Sequence, residues 1–517
     1  MSAAPSHDST AAHRASEIEE TRLDVSRRLD PATRSELGQY FTPRPVASFM
    51  ARFFDRFPPT ARLLDAGAGI GGLIAAAVVE AIERPSPPSR MDVVGYEMDS
   101  LLLPSLARTL AVCGYECKRR GVEFRGSAVG GDFIAAAVAL VQGRVRGRTP
   151  LRFTHAILNP PYRKLGSNST ARLMLRRVGI ETSNLYTGFV ALALQLLDPG
   201  GELVAITPRS FCNGPYFRAF RQYLLRETAL RRFHVFESRT AAFAGDEVLQ
   251  ENVIFHAIKG ARPHRVVVST SLGPEDPQPS MRAVPFEQVV RVGDPESFIR
   301  VICDQSGQRM ADLHSTMPCV LTDLGVTVST GKVVDFRVRP HLRRHQGSRT
   351  EPLIYPTHLV DGLVRWPKPG KKPNALADLP STKALWMPSG TYVLIKRFTS
   401  KEERRRIVAA VFEPELVPAA KVGFENHLNV LHASGVGLDR ELARGLAAFL
   451  NSTFVDLVFR QFSGHTQVNA TDLRSLRFPT ATTLRRLGGQ VPVGCSQREI
   501  DDVVDAAVGM AGPLRSR

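Results

Sequence analysis

The sequence is short of acid. Its 517 residues carry 50 Asp and Glu against 67 Lys and Arg, a net charge of +17 with a pI near 10.0. That excess is high for an enzyme of small acidic metabolites and suits a polyanionic partner, although a basic surface kept for solubility reads the same on charge alone. Cysteine is also scarce. Six are scattered at 113, 117, 212, 303, 319 and 495. Only the first two have the spacing of a metal half-site, and no second close Cys or His pair completes it. The expectation is ordinary thiols in a reducing cytoplasm, and no metal. No apolar run reaches eighteen residues, which argues against a membrane-spanning helix. The first 30 residues are polar, lack the apolar core of a secretory signal and read as a flexible arm.

What is present is a core and a rhythm. A hydrophobic fraction of 43% supports a sizeable buried interior, and the length suggests more than one domain. Between residues 61 and 260, short apolar runs (62–65, 92–96, 153–158, 202–207, 252–258) alternate with helix-like stretches (73–82, 101–111, 186–197). Such alternation predicts an α/β fold with a doubly wound, Rossmann-like sheet. Past residue 261 the rhythm changes: Pro and Arg increase, strand-like pieces appear at 326–338 and 391–397, and a long helix is expected at 439–459. The predicted organisation is an arm at 1–30, the α/β domain at 31–265, a connecting region at 266–320, a mixed α+β domain at 321–480 and an uninformative tail at 481–517. The charge is uneven across it. Residues 331–410 hold 17 Lys and Arg against six Asp and Glu, +11 of the total.

Residues 63–73 read Leu-Leu-Asp-Ala-Gly-Ala-Gly-Ile-Gly-Gly-Leu: a strand, a glycine-rich turn, a helix. Gly67, Gly69 and Gly71 let the backbone approach a ligand where any Cβ would clash. The turn lacks the Gly-Lys-Ser/Thr of a phosphate-binding loop. Some thirty residues later, Val-Val-Gly-Tyr-Glu-Met-Asp at 93–99 brings an acid to the end of the second strand, where it can accept from both hydroxyls of a ribose. Glu97 is preferred for that role, against Asp99 or a purely structural part for Glu97. Asp132 and Phe133 offer an acid for an adenine amine and an aromatic face for its ring.

The sharpest motif is Asn159-Pro160-Pro161-Tyr162, which follows an apolar strand. An aromatic exocyclic amine is a poor nucleophile because its lone pair is delocalised into the ring. Two acceptors aimed at its two hydrogens turn the nitrogen toward tetrahedral geometry and expose that pair. The Asn159 side-chain oxygen and the Pro160 carbonyl can supply them, with the two prolines fixing the chain so that both converge. Tyr162 can stack on a base flipped out of its duplex. The plain alternative is a turn closing a strand, since Asn-Pro and Pro-Pro are common turn dipeptides.

These residues resemble the class I, S-adenosylmethionine-dependent N6-adenine DNA methyltransferases of the gamma arrangement. The likeness rests on Gly-Gln-Tyr-Phe-Thr-Pro at 38–43, the loop at 65–71, Glu97, Asp132-Phe133 and Asn159–Tyr162, in the gamma order. It covers residues 36–260. Where the family's loop often has proline, this chain has Ala66. The resemblance implies S-adenosylmethionine as cofactor, held by Tyr40, Thr42, Pro43, Asp65, Gly67, Gly69, Gly71, Glu97, Met98, Asp132, Phe133 and Asn159. Phe243 is a candidate for the other face of the flipped base, though a core phenylalanine looks identical in sequence.

The second part resembles the target-recognition domain of TaqI-like restriction–modification enzymes, through 329–337, 396–398 and 462–469. That implies double-stranded DNA as partner, contacted by Lys332, Arg337, Lys396, Arg397, His465 and Gln467, and a separately encoded cognate endonuclease. His465 can also be read as a general base, which amine methylation of this kind does not need. Two rival readings remain: a ribosomal-RNA or release-factor glutamine methyltransferase, which can share Asn-Pro-Pro-Tyr, and a non-catalytic DNA-binding protein with a vestigial methyltransferase fold.

Overall fold

A computed structural model of the chain describes residues 41–143, 152–237, 252–399, 405–462, 467–491 and 494–510. Two compact units divide at Asp304/Gln305. Elements are numbered in chain order, omitting the short helical turns.

The first unit is an α/β layer built on one nine-stranded sheet. Its strands are β1 (Thr60–Ala66), β2 (Arg90–Glu97), β3 (Glu123–Gly130), β4 (Phe153–Leu158), β5 (Leu197–Pro208), β6 (Thr228–Phe236), β7 (Asn252–Lys259), β8 (Arg265–Ser271) and β9 (Ser280–Pro285). Its helices are α1 (Arg44–Ala51), α2 (Gly72–Glu83), α3 (Leu103–Arg119), α4 (Phe133–Val141), α5 (Thr170–Arg176), α6 (Leu185–Leu196) and α7 (Arg218–Glu227). The strand order is β3-β2-β1-β4-β5-β7-β6-β8-β9. The first five strands are parallel, and β7 runs antiparallel to both β5 and β6. Central β1 and β4 are buried along most of their length, which is why they read as continuous apolar runs, whereas edge strand β3 is largely exposed. The order reverses between β1 and β4. Ligands of open α/β sheets bind beyond the carboxyl ends of the strands at such a point, and both chemical motifs sit there.

The opposite end of the sheet carries a buried tie. The Glu202 carboxylate accepts from the Asp55 N–H (2.7 Å) and the Arg56 N–H (3.3 Å), and bonds His256 Nε2 at 2.9 Å. Asp55, Glu202 and His256 lie close enough to hold a metal ion. Their ligand atoms are already engaged, however, since Asp55 also pairs with Arg232. The cluster fastens the α1–β1 loop to β5 and β7.

Residues 266–320, expected as a connection, do more than connect. β8 pairs parallel with β6, and β9 antiparallel with β8, widening the sheet. The β-branched run in Val266, Val267, Val268 and Thr270 explains this; the neighbouring prolines masked it.

The second unit opens with α8 (Gln305–Thr316) and holds two sheets. One is ordered β10-β20-β17-β18-β14-β13 and the other β11-β15-β12-β19-β16. The strands are β10 (Thr327–Thr330), β11 (Leu342–Arg343), β12 (Thr350–Ile354), β13 (Leu359–Val360), β14 (Leu363–Val364), β15 (Ala375–Ala377), β16 (Trp386–Pro388), β17 (Tyr392–Lys396), β18 (Ala409–Phe412), β19 (Lys421–Phe424) and β20 (Leu428–His432). The long helix expected at 439–459 is two helices, α9 (Arg440–Leu450) and α10 (Thr453–Phe462), with a bend of 59° between them. Asn451 makes the break. Its side chain accepts from the Ala409 N–H and donates to the Ala409 carbonyl, a strand-like pairing with β18. Among the described residues no single helix is long and apolar enough to cross a membrane.

The C-terminal stretch forms α11 (Ala470–Ser475), α12 (Ala481–Gln490) and α13 (Gln497–Val508). Helices α9 and α12 touch backbone to backbone. A Cβ on Gly445 would lie 1.8 Å from the Leu484 carbonyl oxygen, and one on Gly488 2.0 Å from that of Glu441. Gly445→Ala or Gly488→Ala must therefore push the helices apart. A loss of about 1–3 kcal/mol is expected, read as a lower denaturant midpoint; an unchanged midpoint would show that the helices are not tightly apposed.

Candidate active site

Three left-handed residues shape the turn between β1 and α2: Gly67 (φ 86°), Gly69 (φ 56°) and Gly71 (φ 89°). Side chains rarely adopt this backbone, so glycine is favoured by conformation at all three positions, and by space at Gly69 and Gly71, where a Cβ would lie 3.1 Å from Phe41 and 2.9 Å from Thr109. The turn is pinned to the end of β2. Gly67 and Ala68 N–H groups donate to the Tyr96 carbonyl (2.9 and 2.8 Å), and the Gly69 N–H donates to Glu97 Oε2 at 2.8 Å. Glu97 Oε1 accepts the Asp99 N–H at 2.8 Å. Burial pushes the Glu97 carboxyl up, and these amide bonds pull it back. Each oxygen keeps a further lone pair that can accept from a hydroxyl. Asp99, the competing candidate, spends one oxygen on the Leu101 N–H of its own turn.

Asp65 is different. It is fully buried, and neither carboxylate oxygen has a hydrogen-bond partner among the described residues. Burial, then the neighbouring Glu97 charge, hold its carboxyl well above the usual range. Such a group is complementary to a cation. Asp132 caps α4, its Oδ1 accepting the Ile134 N–H at 2.8 Å. Phe133 is buried, its ring edge-on to Tyr96 at 5.3 Å and tilted on Phe189 at 5.1 Å. Met98 is exposed. Sequence reasoning passed over Phe189, which lies against the glycine turn, 3.7 Å from where a Gly67 Cβ would stand. Its signal was hidden inside a uniformly apolar helix.

Asn159 leaves the end of β4 into the same region. Its Nδ2 donates to Thr42 Oγ1 (3.0 Å), and its Oδ1 accepts from the Tyr162 hydroxyl (3.0 Å). That hydroxyl is also 3.3 Å from the Ile206 carbonyl of β5. Burial pushes the Tyr162 phenol far up, so it remains a donor. Thr42 and Pro43 lead directly into α1, with Pro43 at its N-cap. Phe41 packs with Ile70 and Leu102. The short segment before α1 thus touches both the glycine turn and Asn159. Tyr40 and Phe243 fall outside the described residues.

Comparison with known proteins decides the family. Residues 148–243 match the Eco57I restriction-modification methylases. The chain is 43% identical over 494 residues to the type II methyltransferase M.PstI of Providencia stuartii, covering 95% of this chain and 96% of that one. It is 46% identical over 474 residues to the type II methyltransferase M.BsuBI of Bacillus subtilis, covering 91% and 93%. The chain belongs to the type II DNA methyltransferases of restriction–modification systems. A solved DrdV–DNA complex shares its fold at a TM-score of 0.50 and 12% identity, covering 93% of this chain and 59% of that one.

The methyl donor of this type II methyltransferase is S-adenosylmethionine. The residues fit it: a turn open to close approach, an acid with spare lone pairs for hydroxyls, and an unpaired buried acid for a cationic head. In the second unit Lys332 and Arg337 are exposed, while Lys396, Arg397 and Gln467 are half-buried. Phe398 bridges Gln467, so 396–398 and 467–469 are neighbours. His465 lies outside the described residues.

Asp65 gives that fit a test. A carboxyl whose folded pKa is raised costs nothing below the unfolded carboxylate range, and destabilises increasingly as pH rises from there toward the folded pKa. Asp65→Asn is therefore expected to raise the melting temperature of the cofactor-free protein at neutral pH while weakening S-adenosylmethionine binding. The wild type should release protons on binding and bind tighter as pH rises. Calorimetry in buffers of different ionisation enthalpy checks this; a variant that binds as well as wild type removes Asp65 from the pocket.

Proposed function

We propose that the acceptor is the N6 amine of adenine in double-stranded DNA, and that residues 321–480 choose the target sequence while residues 36–260 perform the transfer. The observation that carries the first half is the clamp on Asn159. An asparagine amide is nearly symmetric in shape, and only its hydrogen-bond partners decide which end is oxygen. Thr42 Oγ1 takes the Nδ2 end and the Tyr162 hydroxyl takes the Oδ1 end, which fixes the direction of the amide whose oxygen would accept one hydrogen of an incoming amine. The Pro160 carbonyl takes the other hydrogen, Pro161 holds the turn, and the Tyr162 ring stacks on the flipped base.

S-adenosylmethionine supplies an electrophilic methyl group. When bound, it would be held by Asp65 at its ammonium, by Glu97 at its ribose and by Asp132 at its adenine amine, beside the positive-φ turn. Thr42, Pro43 and Met98 would border the cofactor, with Phe133 and Phe189, tilted on one another at 5.1 Å, as its apolar support. Lys332 and Arg337 meet phosphates. The enzyme acts in the cytoplasm beside a separately encoded cognate endonuclease, a reading supported by its type II methyltransferase relatives. Family membership sets aside the ribosomal-RNA and glutamine readings, and the complete constellation speaks against a vestigial fold.

Sequencing of DNA from cells expressing the protein is expected to show N6-methyladenine at one recurrent sequence; N4-methylcytosine instead would overturn the acceptor. Asn159→Ala should abolish transfer and leave cofactor affinity largely intact. Tyr162→Phe keeps the ring but frees the amide, and one neutral hydrogen bond of about 1 kcal/mol predicts a several-fold fall in kcat. Near-normal turnover of Asn159→Ala would refute the mechanism. Neutralising Lys332 and Arg337 together should lower the slope of log affinity against log salt by about 0.9 for each phosphate no longer neutralised; an unchanged slope removes both from the interface.

A further inference from the structure

The pieces of the second unit singled out by sequence, 329–337, 396–398 and, of 462–469, the described residues 467–469, meet at one corner. Glu425, Asn426 and His427 join β19 to β20, strands of two different sheets. The Asn426 N–H donates to the Val333 carbonyl (2.8 Å), the Arg397 N–H to the His427 carbonyl (2.9 Å) and the Arg397 guanidinium to the Asn426 carbonyl (2.6 Å). The Val468 N–H donates in turn to the Arg397 carbonyl at 2.9 Å. Gly331 passes so close that a Cβ would sit 2.2 Å from the Glu425 carbonyl oxygen. The corner is held from several strands at once.

One side chain stands out from it in a fixed direction. The Glu425 carboxylate is buried, and its two oxygens take the His427 N–H (3.0 Å) and the His427 Nδ1 (2.5 Å). The His427 ring is tilted on Phe398 at 5.2 Å. Yet 49% of the His427 side chain and 42% of Phe398 remain exposed. A carboxylate only accepts, so Nδ1 carries the proton, and Nε2 is left for a partner outside the described residues. Capping the turn needs only the backbone N–H. The second oxygen, on Nδ1, aims the ring.

We propose that His427, aimed by Glu425 and Phe398, is a specificity-determining residue that reads one base edge in the DNA groove through Nε2. Phosphates are met well by long flexible Lys and Arg, because charge matters there more than direction. Base readout depends on direction, which a ring fixed on two sides supplies. The proposal rests on the reading of 321–480 as the target-recognising part.

Methyl-transfer rates on the modified sequence, and on duplexes each altered at one base pair, test it. His427→Ala is expected to lower discrimination about tenfold or more at one base pair and leave it intact elsewhere, with melting temperature and cofactor affinity as in the wild type. Glu425→Gln should weaken discrimination at the same pair. If that buried change prevents folding, the surface change His427→Ala decides alone. Unchanged discrimination at every position overturns the proposal, as does an equal loss on all duplexes with a shallower salt slope, the mark of a phosphate contact. Failure of the underlying reading looks different: discrimination would survive even deep substitution across the corner, and neutralising Lys332 and Arg337 would leave DNA affinity unaltered.

Discussion

The proposed amine chemistry needs an amide held the right way round, and the first unit fixes the direction of the Asn159 side chain. Asn159 stands at the end of β4, Thr42 just before α1 and Tyr162 three residues on, with its hydroxyl near the β5 carbonyl of Ile206. Three separate pieces of chain thus converge on one functional group. The parallel order of β1, β4 and β5 makes their carboxyl ends coincide, and the tie among Glu202, His256 and Asp55 at the far end keeps the loop after α1 in register with the sheet. Rotation of the amide by half a turn would present donors to a donor. The cost of that error explains why both ends of the side chain have partners.

The glycine turn follows a parallel logic with the opposite energetics. Asn159 is satisfied, whereas Asp65 is buried without a hydrogen-bond partner among the described residues and Glu97 is only partly compensated by amides. A site that binds a cationic, hydroxyl-rich molecule has to keep acceptors unspent, and unspent buried acceptors destabilise the free protein. In the proposed site, cofactor binding would relieve what folding alone does not.

Much of this was legible because some chemistry demands particular residues in order. Glycines at 67, 69 and 71 suit the positive φ of the turn better than other residues, and the Asn-Pro-Pro-Tyr run stands out in any chain. The central strands were legible because burial on both faces makes them uniformly apolar. Other features were not. Phe189 is one aromatic in a helix that is apolar all round, so periodicity could not single it out. The bend at Asn451 depends on pairing with Ala409, far away in sequence, and β8 and β9 depend on the free edge of β6. The 425–427 corner carries no motif at all: His427 becomes notable only once Glu425 is seen beneath it.

On the proposed division of labour the two units solve different physical problems with different means, and that difference explains why the second was harder to read. Transfer to one kind of amine needs one geometry, so the residues that provide it are restricted to a few types at set spacings. Reading a sequence needs a rigid surface whose few outward groups can be changed without disturbing what holds them. In the second unit the holding is done by backbone bonds from Val333 and Arg397 and by glycine at 331, while the outward groups sit on top of it. A scaffold of main-chain bonds tolerates almost any side chain facing out. The framework can therefore persist while specificity changes, and sequence motifs record the framework only weakly because main-chain bonds leave so little trace in residue identity.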